Sequence, residues 1–270
     1  MLLNKSHSLC SGRASALASV FHRCQQRRHR TTNVLIFGDS NTWGFNPKPR
    51  LVPRRIPQGE RWSDIMSRQL NEKSQEGDDV NVIVDALNAR TTIFHDPASP
   101  MDGEYNCNGR DFLMTTLHRT KPLDVVVLAL GVNDLKVQFS NTPWSIAAGV
   151  RILTKDIIRA TSIGAVMKDE KGEQLTGDTP EIIILGVPII KETPTSLSWG
   201  FQGASEKCEA LNPLLREVAM GVDGIFVDLS KVADVSPLDG VHFDVDVQTV
   251  LGDAVANAVE KSMTKRSKRR

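Results

Sequence analysis

Short, almost unbroken apolar runs alternate along this chain with longer stretches in which apolar residues return every three or four positions. The runs are 33–37 (NVLIF), 80–86 (VNVIVDA), 124–130 (DVVVLAL), 181–187 (EIIILGV) and 224–228 (GIFVD). Their β-branched content and bounding Gly and Asp residues mark them as strands. The third is nearly all apolar, as a central parallel strand buried on both faces must be. Helices are predicted over 61–70, where Trp62, Ile65, Met66 and Leu70 share a face, and from near Gly109 to Leu117. Three more are predicted over 143–160, with Ile146, Val150, Leu153 and Ile157 in one stripe, over 205–220 and over 246–259. Strand–helix alternation of this kind predicts an α/β fold, a three-layer α/β/α sandwich around a five-stranded parallel sheet of flavodoxin-like type. The polar stretch 168–179 is predicted to be a surface loop.

Composition narrows the picture. With 270 residues, 40% hydrophobic and 24% charged, the chain can bury one sizeable core. Its longest apolar runs, such as 125–132, are too short to span a bilayer. The net charge of +1 hides an asymmetry. Residues 1–32 and 261–270 each carry six Lys or Arg and no acid, leaving 21 basic against 32 acidic side chains in the body, 33–260. That body, at about −11, would repel a phosphate backbone, so nucleic acid is not expected as its ligand. Two of the four cysteines, Cys10 and Cys24, lie in the leader, and Cys107 and Cys208 have no metal-ligand or disulfide-framework spacing.

The leader 1–32 is rich in Arg and Ser and free of acids, the composition of an organellar transit peptide. It is expected to direct the chain to the mitochondrion, with plastid targeting, or a disordered extension of a cytoplasmic protein, as the alternatives. Residues 33–260 are expected to form the single folded domain and 261–270 a basic, disordered tail without assigned function.

In a parallel sheet the ligand lies beyond the carboxyl ends of the strands. There the sequence places 38–44 (GDSNTWG), 88–92 (NARTT), 131–134 (GVND) and, beyond the fifth strand, 239–242 (DGVH). A serine hydroxyl needs a base to become a nucleophile; His242 can take its proton, and Asp239, three residues earlier, can fix the imidazole. The oxygen of a tetrahedral intermediate needs donors aimed at it, and the Asn133 amide with backbone N–H groups beside the nucleophile can supply them. Gly38 and Gly44 permit the tight turn that exposes Ser40. Asp39 is read as a turn residue, Asp134 as a cap, Arg90 as the partner of a carboxylate, and His95–Asp96 as part of a turn.

Four such clusters in this order resemble the SGNH (GDSL-type) serine hydrolase superfamily. The match is to the arylesterase and acyltransferase branch, whose first block reads G-D-S-x-T-W-G. The resemblance extends from about Asn33 to the last helix. It implies the SGNH hydrolase fold, Ser40 as nucleophile, His242 as base and Asp239 as its orienting acid. It also implies an oxyanion hole from the Ser40 N–H, the Ala89 N–H and the Asn133 side chain. Ala89 stands where the superfamily usually has glycine. The implied reaction is cleavage of small carboxylic esters, short-chain acyl or aryl, through an acyl-enzyme, with acyl transfer to alcohols as an extension. It needs no cofactor and no metal. The expected partner is a small-molecule ester, with no nucleic acid and no membrane span, and nothing in the pattern bars a homo-oligomer. Trp43, Trp199 and Phe201 are candidates for substrate binding, the last two in a long segment, 188–204, able to overhang the site.

Two other readings stay open from the residues. Asp239, His242, Asp244 and Asp246 carry oxygen and imidazole ligands for a metal-dependent hydrolase, and the scaffold can serve as a non-catalytic binding module. Nucleotide binding has no support, since neither G-x-G-x-x-G nor a P-loop follows any strand.

Overall fold

The computed structural model describes residues 30–48, 54–74, 78–96, 106–160, 167–168, 174–175 and 179–269. Strand β1 (Arg30–Gly38) is followed by a one-turn helix, α1 (Ser40–Trp43), then α2 (Trp62–Glu72) and β2 (Asp78–Ala86). Next come α3 (Gly109–Thr120), β3 (Val125–Ala129) and α4 (Pro143–Ala160). A two-stranded antiparallel ribbon, β4 (Met167–Lys168) and β5 (Gln174–Leu175), precedes β6 (Glu181–Leu185). The chain continues through α5 (Pro194–Ser198), α6 (Ala204–Gly221), β7 (Ile225–Val227) and α7 (Gln248–Arg269). Strands β2-β1-β3-β6-β7 form one parallel sheet in that order. The five strands and their helices match the predicted α/β sandwich.

The alternation of side chains explains why the central strands are apolar throughout. Leu35, Phe37, Val126, Leu128, Ile182 and Ile184 point into one core, against Leu113 and Leu117 of α3, Ile146, Val150, Leu153 and Ile157 of α4, and Leu211 and Leu215 of α6. Val34, Ile36, Val125, Val127, Ile183 and Leu185 point into the other, against Trp62, Met66 and Leu70 of α2 and Leu251, Val255 and Val259 of α7. Each such side chain contributes roughly 1.5–3 kcal/mol by leaving water, so neither face can be polar. Strand β6 stops two residues short of the predicted Val187. The Asn212 side chain of α6 accepts from the Val187 N–H and donates to its C=O, at 2.9 Å each, taking both groups out of the ladder.

Three expectations are corrected. The leader was bounded at residue 32, but Arg30–Thr32 already belong to β1, paired with Asp78–Val80; the rest of the leader, 1–29, lies outside the described residues. The stretch 168–179 is not wholly loop, because Lys168, Gln174 and Leu175 within it belong to the β4–β5 ribbon. The tail 261–270 is not disordered as far as Arg269: α7 continues through it. Its charges account for this. Arg266 is buried and lies 3.2 Å from Asp124, donating also to the Thr179 carbonyl, while Arg269 pairs with Glu181 at 2.8 Å. Acids at the amino ends of β3 and β6 thus hold the basic helix end against the sheet, where positive charge also suits the helix dipole. Among the described residues no helix is long and apolar enough to cross a membrane.

Candidate active site

The first strand ends in a turn built around a forced glycine. A Cβ on Gly38 would come within 2.2 Å of Thr42 Oγ1, because α1 folds directly back over the strand end. Asp39 caps that turn, its Oδ1 accepting from the Asn41 N–H at 2.9 Å, and Gly44 closes it in the left-handed region at φ 88°. Asp39 is therefore the turn residue the sequence suggested. Burial pushes its carboxyl up to about 7, against the opposing pull of the Asn41 N–H.

Ser40 stands at the start of this turn, and its Oγ lies 2.8 Å from His242 Nε2. His242 Nδ1 lies 2.8 Å from Asp239 Oδ2, and the other oxygen, Oδ1, accepts the N–H groups of Val241 and His242 at 2.9 Å each. Burial acts to raise the Asp239 carboxyl. The hydrogen bond and charge of His242, with the two N–H groups, outweigh it and hold the carboxyl below the usual range. All three residues are buried. With both ring nitrogens so engaged, His242 has no lone pair left for a metal. Among the described residues no group of three His, Cys, Asp or Glu is placed to hold one.

The second and third blocks meet beside the serine. Ala89 sits at φ 60°, in the left-handed region where a side chain is strained, which is the physical reason glycine is the easier residue there. No described residue accepts a hydrogen bond from the Ser40 or Ala89 N–H. Asn133 Nδ2 donates to the Arg90 carbonyl at 3.1 Å, leaving the second amide hydrogen for another acceptor. Arg90 is buried and structural: it donates to the carbonyls of Gly38 and Asp85 and pairs with the Asp85 carboxylate at 2.8 Å, fixing the ends of β1 and β2. Asp134 accepts from the Thr92 N–H and hydroxyl, a cap that ties the two blocks together; burial pushes it up to about 6, against those bonds. Asp96 is buried and faces Lys136 and Gln138, whereas His95 is exposed near Asp111.

The substrate-binding candidates divide. Trp199 packs edge-on to the His242 ring at 5.8 Å. Phe201 is corrected: it is 2% exposed in the core beneath, and cannot touch a ligand from there. Trp43 is half-buried under the Arg55 guanidinium, 4.4 Å from its ring centroid, with no described contact to the three catalytic candidates. The segment 188–204 does reach the site, and it is pinned rather than free. Its Thr193 hydroxyl donates to the Asp239 carbonyl at 2.9 Å, and the Lys191 N–H donates to the Gly240 carbonyl at 2.8 Å. A Cβ on Gly240, at φ 77°, would lie 1.9 Å from the Lys191 carbonyl oxygen, so only glycine fits there.

Two residues escaped the sequence reading. Phe45 stacks on His242 with centroids 4.1 Å apart and planes inclined by 28°. Asn41 bridges the serine turn to the histidine loop, donating to the Val241 carbonyl and accepting from the Phe243 N–H, both at 3.3 Å. Asn41 stands next to Ser40 in sequence, and that adjacency was its only available signal. Phe45 had none beyond following the first block.

Residues 36–248 match the sequence pattern of the GDSL-like lipase/acylhydrolase family. No protein of curated function matches the chain in sequence. Among solved structures it is similar to an aryl esterase of M. smegmatis, at 29% identity and a TM-score of 0.72, over 85% of this chain and 99% of that one. A carbohydrate acetylesterase from Sinorhizobium meliloti is similar at 28% identity and the same TM-score, again over 85% and 99%.

Proposed function

The chain belongs to the GDSL-like lipase/acylhydrolase family and is a carboxylic ester hydrolase, and from that premise we propose that it cleaves small esters of short acyl groups through an acyl-enzyme on Ser40. The unbroken chain from Ser40 Oγ through His242 to the Asp239 carboxylate carries this reading. Ser40 Oγ attacks the ester carbonyl carbon while its proton passes to His242 Nε2. The carbonyl oxygen becomes an anion facing the Ser40 and Ala89 N–H groups and the Asn133 amide. Collapse expels the alcohol, which takes the proton from Nε2. Water then attacks the acyl-enzyme by the same route and releases the acid; an alcohol in its place gives acyl transfer. Asp239 keeps the imidazole in the tautomer that accepts at Nε2 and stabilises it once protonated.

The rings of Phe45 and Trp199 flank His242 and offer flat apolar faces there, which supports a short acyl with a flat aryl or sugar alcohol over a long chain. The aryl esterase and the carbohydrate acetylesterase point the same way. A series of p-nitrophenyl esters of increasing chain length tests this, with a fluorophosphonate probe of the serine. Acetate and propionate should be cleaved fastest, and the probe should label Ser40 and abolish turnover. A chelator that stopped the enzyme, with Ser40 unlabelled, would favour metal-dependent hydrolysis instead.

Asn133 gives a more selective test. Its free amide hydrogen meets the substrate oxygen most strongly once that oxygen is charged, so it acts on the barrier rather than on binding. Asn133→Ala should lower kcat by roughly 10²–10³ with KM nearly unchanged. A normal kcat would make this residue structural and remove it from the oxyanion hole.

We also propose mitochondrial targeting by the acid-free leader. Fusion of residues 1–29 to a fluorescent protein should send it to mitochondria; a cytosolic fusion would dismiss the idea.

A further inference from the structure

Three arginines, Arg54, Arg55 and Arg61, gather beside the serine turn of a chain whose body carries a net negative charge. Several arginines elsewhere in the fold are matched to carboxylates, among them Arg90 to Asp85, Arg110 to Asp156 and Arg269 to Glu181. Arg54, Arg55 and Arg61 are not, and among the described residues none of the three forms an ion pair. Arg55 donates to the Trp43 carbonyl and lies over its ring, and Arg61 donates to the Ile56 carbonyl with its stem against Gly44. Burial, and then the charge of Arg61, lower the Arg55 guanidinium's pKa, against a smaller opposing pull from Asp64.

Arg54 is the exposed member of the group and has a defined place. The segment 54–56 is clasped to the serine turn by two backbone bonds, Asn46 N–H to the Arg54 carbonyl at 3.2 Å and Ile56 N–H to the Gly44 carbonyl at 2.7 Å. This clasp sets the Arg54 guanidinium over the Phe45 ring, 5.9 Å from its centroid, and the same ring stacks on His242. His242 Nε2 is the atom that hands its proton to the departing alcohol. The alcohol must therefore leave within reach of the imidazole on which Phe45 stacks.

We propose that the alcohol part of the natural ester carries a carboxylate, bound by the Arg54 guanidinium beside His242. A planar guanidinium with its donors free suits a carboxylate better than any neutral group. Cations gathered beside the catalytic turn also attract an anion toward it. The inference rests on the ester-hydrolase reading of Ser40 and His242 and adds the charge of the substrate to it.

The full chain can be assayed with 3-acetoxybenzoate and its neutral counterpart 3-acetoxybenzamide, which share the acetyl group and a phenolic leaving oxygen. The carboxylate should be favoured in kcat/KM by about tenfold, a difference of roughly 1.4 kcal/mol. Arg54→Gln should abolish the preference, Arg54→Glu should invert it, and Arg54→Lys should keep part of it. Raising salt from about 0.01 to about 1 M shortens the screening length from roughly 30 to 3 Å and should compress the preference as well. Equal efficiency on the two esters, or a preference that survives Arg54→Glu, overturns the proposal while leaving ester hydrolysis intact. Cleavage of neither ester would sink the hydrolase reading and this inference with it.

Discussion

Ser40→Ala and His242→Ala should each reduce kcat by roughly a millionfold, and the double variant should be little worse than either alone. The reason is that the two atoms perform one event. Ser40 Oγ and His242 Nε2 lie 2.8 Å apart, so the proton leaves as the carbon–oxygen bond forms. Without the serine the base has nothing to deprotonate, and without the base the hydroxyl is too weak a nucleophile to matter. Single-turnover and steady-state rates on p-nitrophenyl acetate would measure this. Both side chains are buried at the sheet end and small relative to the core, so circular dichroism should be unchanged in each variant. Losses that multiplied in the double variant would mean that the two groups act independently, and the proposed mechanism would fail.

Asp239→Asn is expected to cost about ten-thousandfold in kcat, although it changes one atom. Asp239 Oδ2 faces Nδ1 at 2.8 Å, and a carboxylate there can only accept, which places the ring proton on Nδ1 and leaves Nε2 with a lone pair for the serine. An amide in its place turns its NH2 toward Nδ1, so the proton moves to Nε2 and the base is blocked. Oδ1 can still accept from the N–H groups of Val241 and His242, so the loop should survive. The variant should recover at high pH, where hydroxide removes the need for the base. A variant with near-normal kcat at neutral pH would show that Asp239 only shapes the loop.

The residues proposed for these roles stood out in the sequence because each lies in a local feature. Gly38, Asp39 and Gly44 mark a tight turn wherever they occur in this spacing, since one avoids a clash, one caps and one adopts a left-handed conformation. Asp239 and His242 meet within one turn of chain. The strands were legible for a similar reason: β1, β3 and β6 are buried on both faces, and a segment with no solvent-facing side must be apolar at every position. Local stereochemistry and the burial of whole strands therefore made the fold and its open end legible from residues alone, and brought Ser40, Asp239 and His242 there as candidates.

Contacts between distant segments were decided only by the folded chain. Phe45 stacks on a histidine nearly two hundred positions away, and Asn41 bonds the backbone on either side of that histidine. Trp199 and Phe201 look alike in sequence, yet one flanks the imidazole and the other fills the core, because the pinned turn at Thr193 sets which way each faces. The basic end of α7 looks like a solvated tail until Asp124 and Glu181 appear at the strand ends beneath it. Periodicity carries information over a few residues along one element, whereas the energy of a ring stack or an ion pair depends on a distance in space. Only when the sheet has assembled are those distances defined.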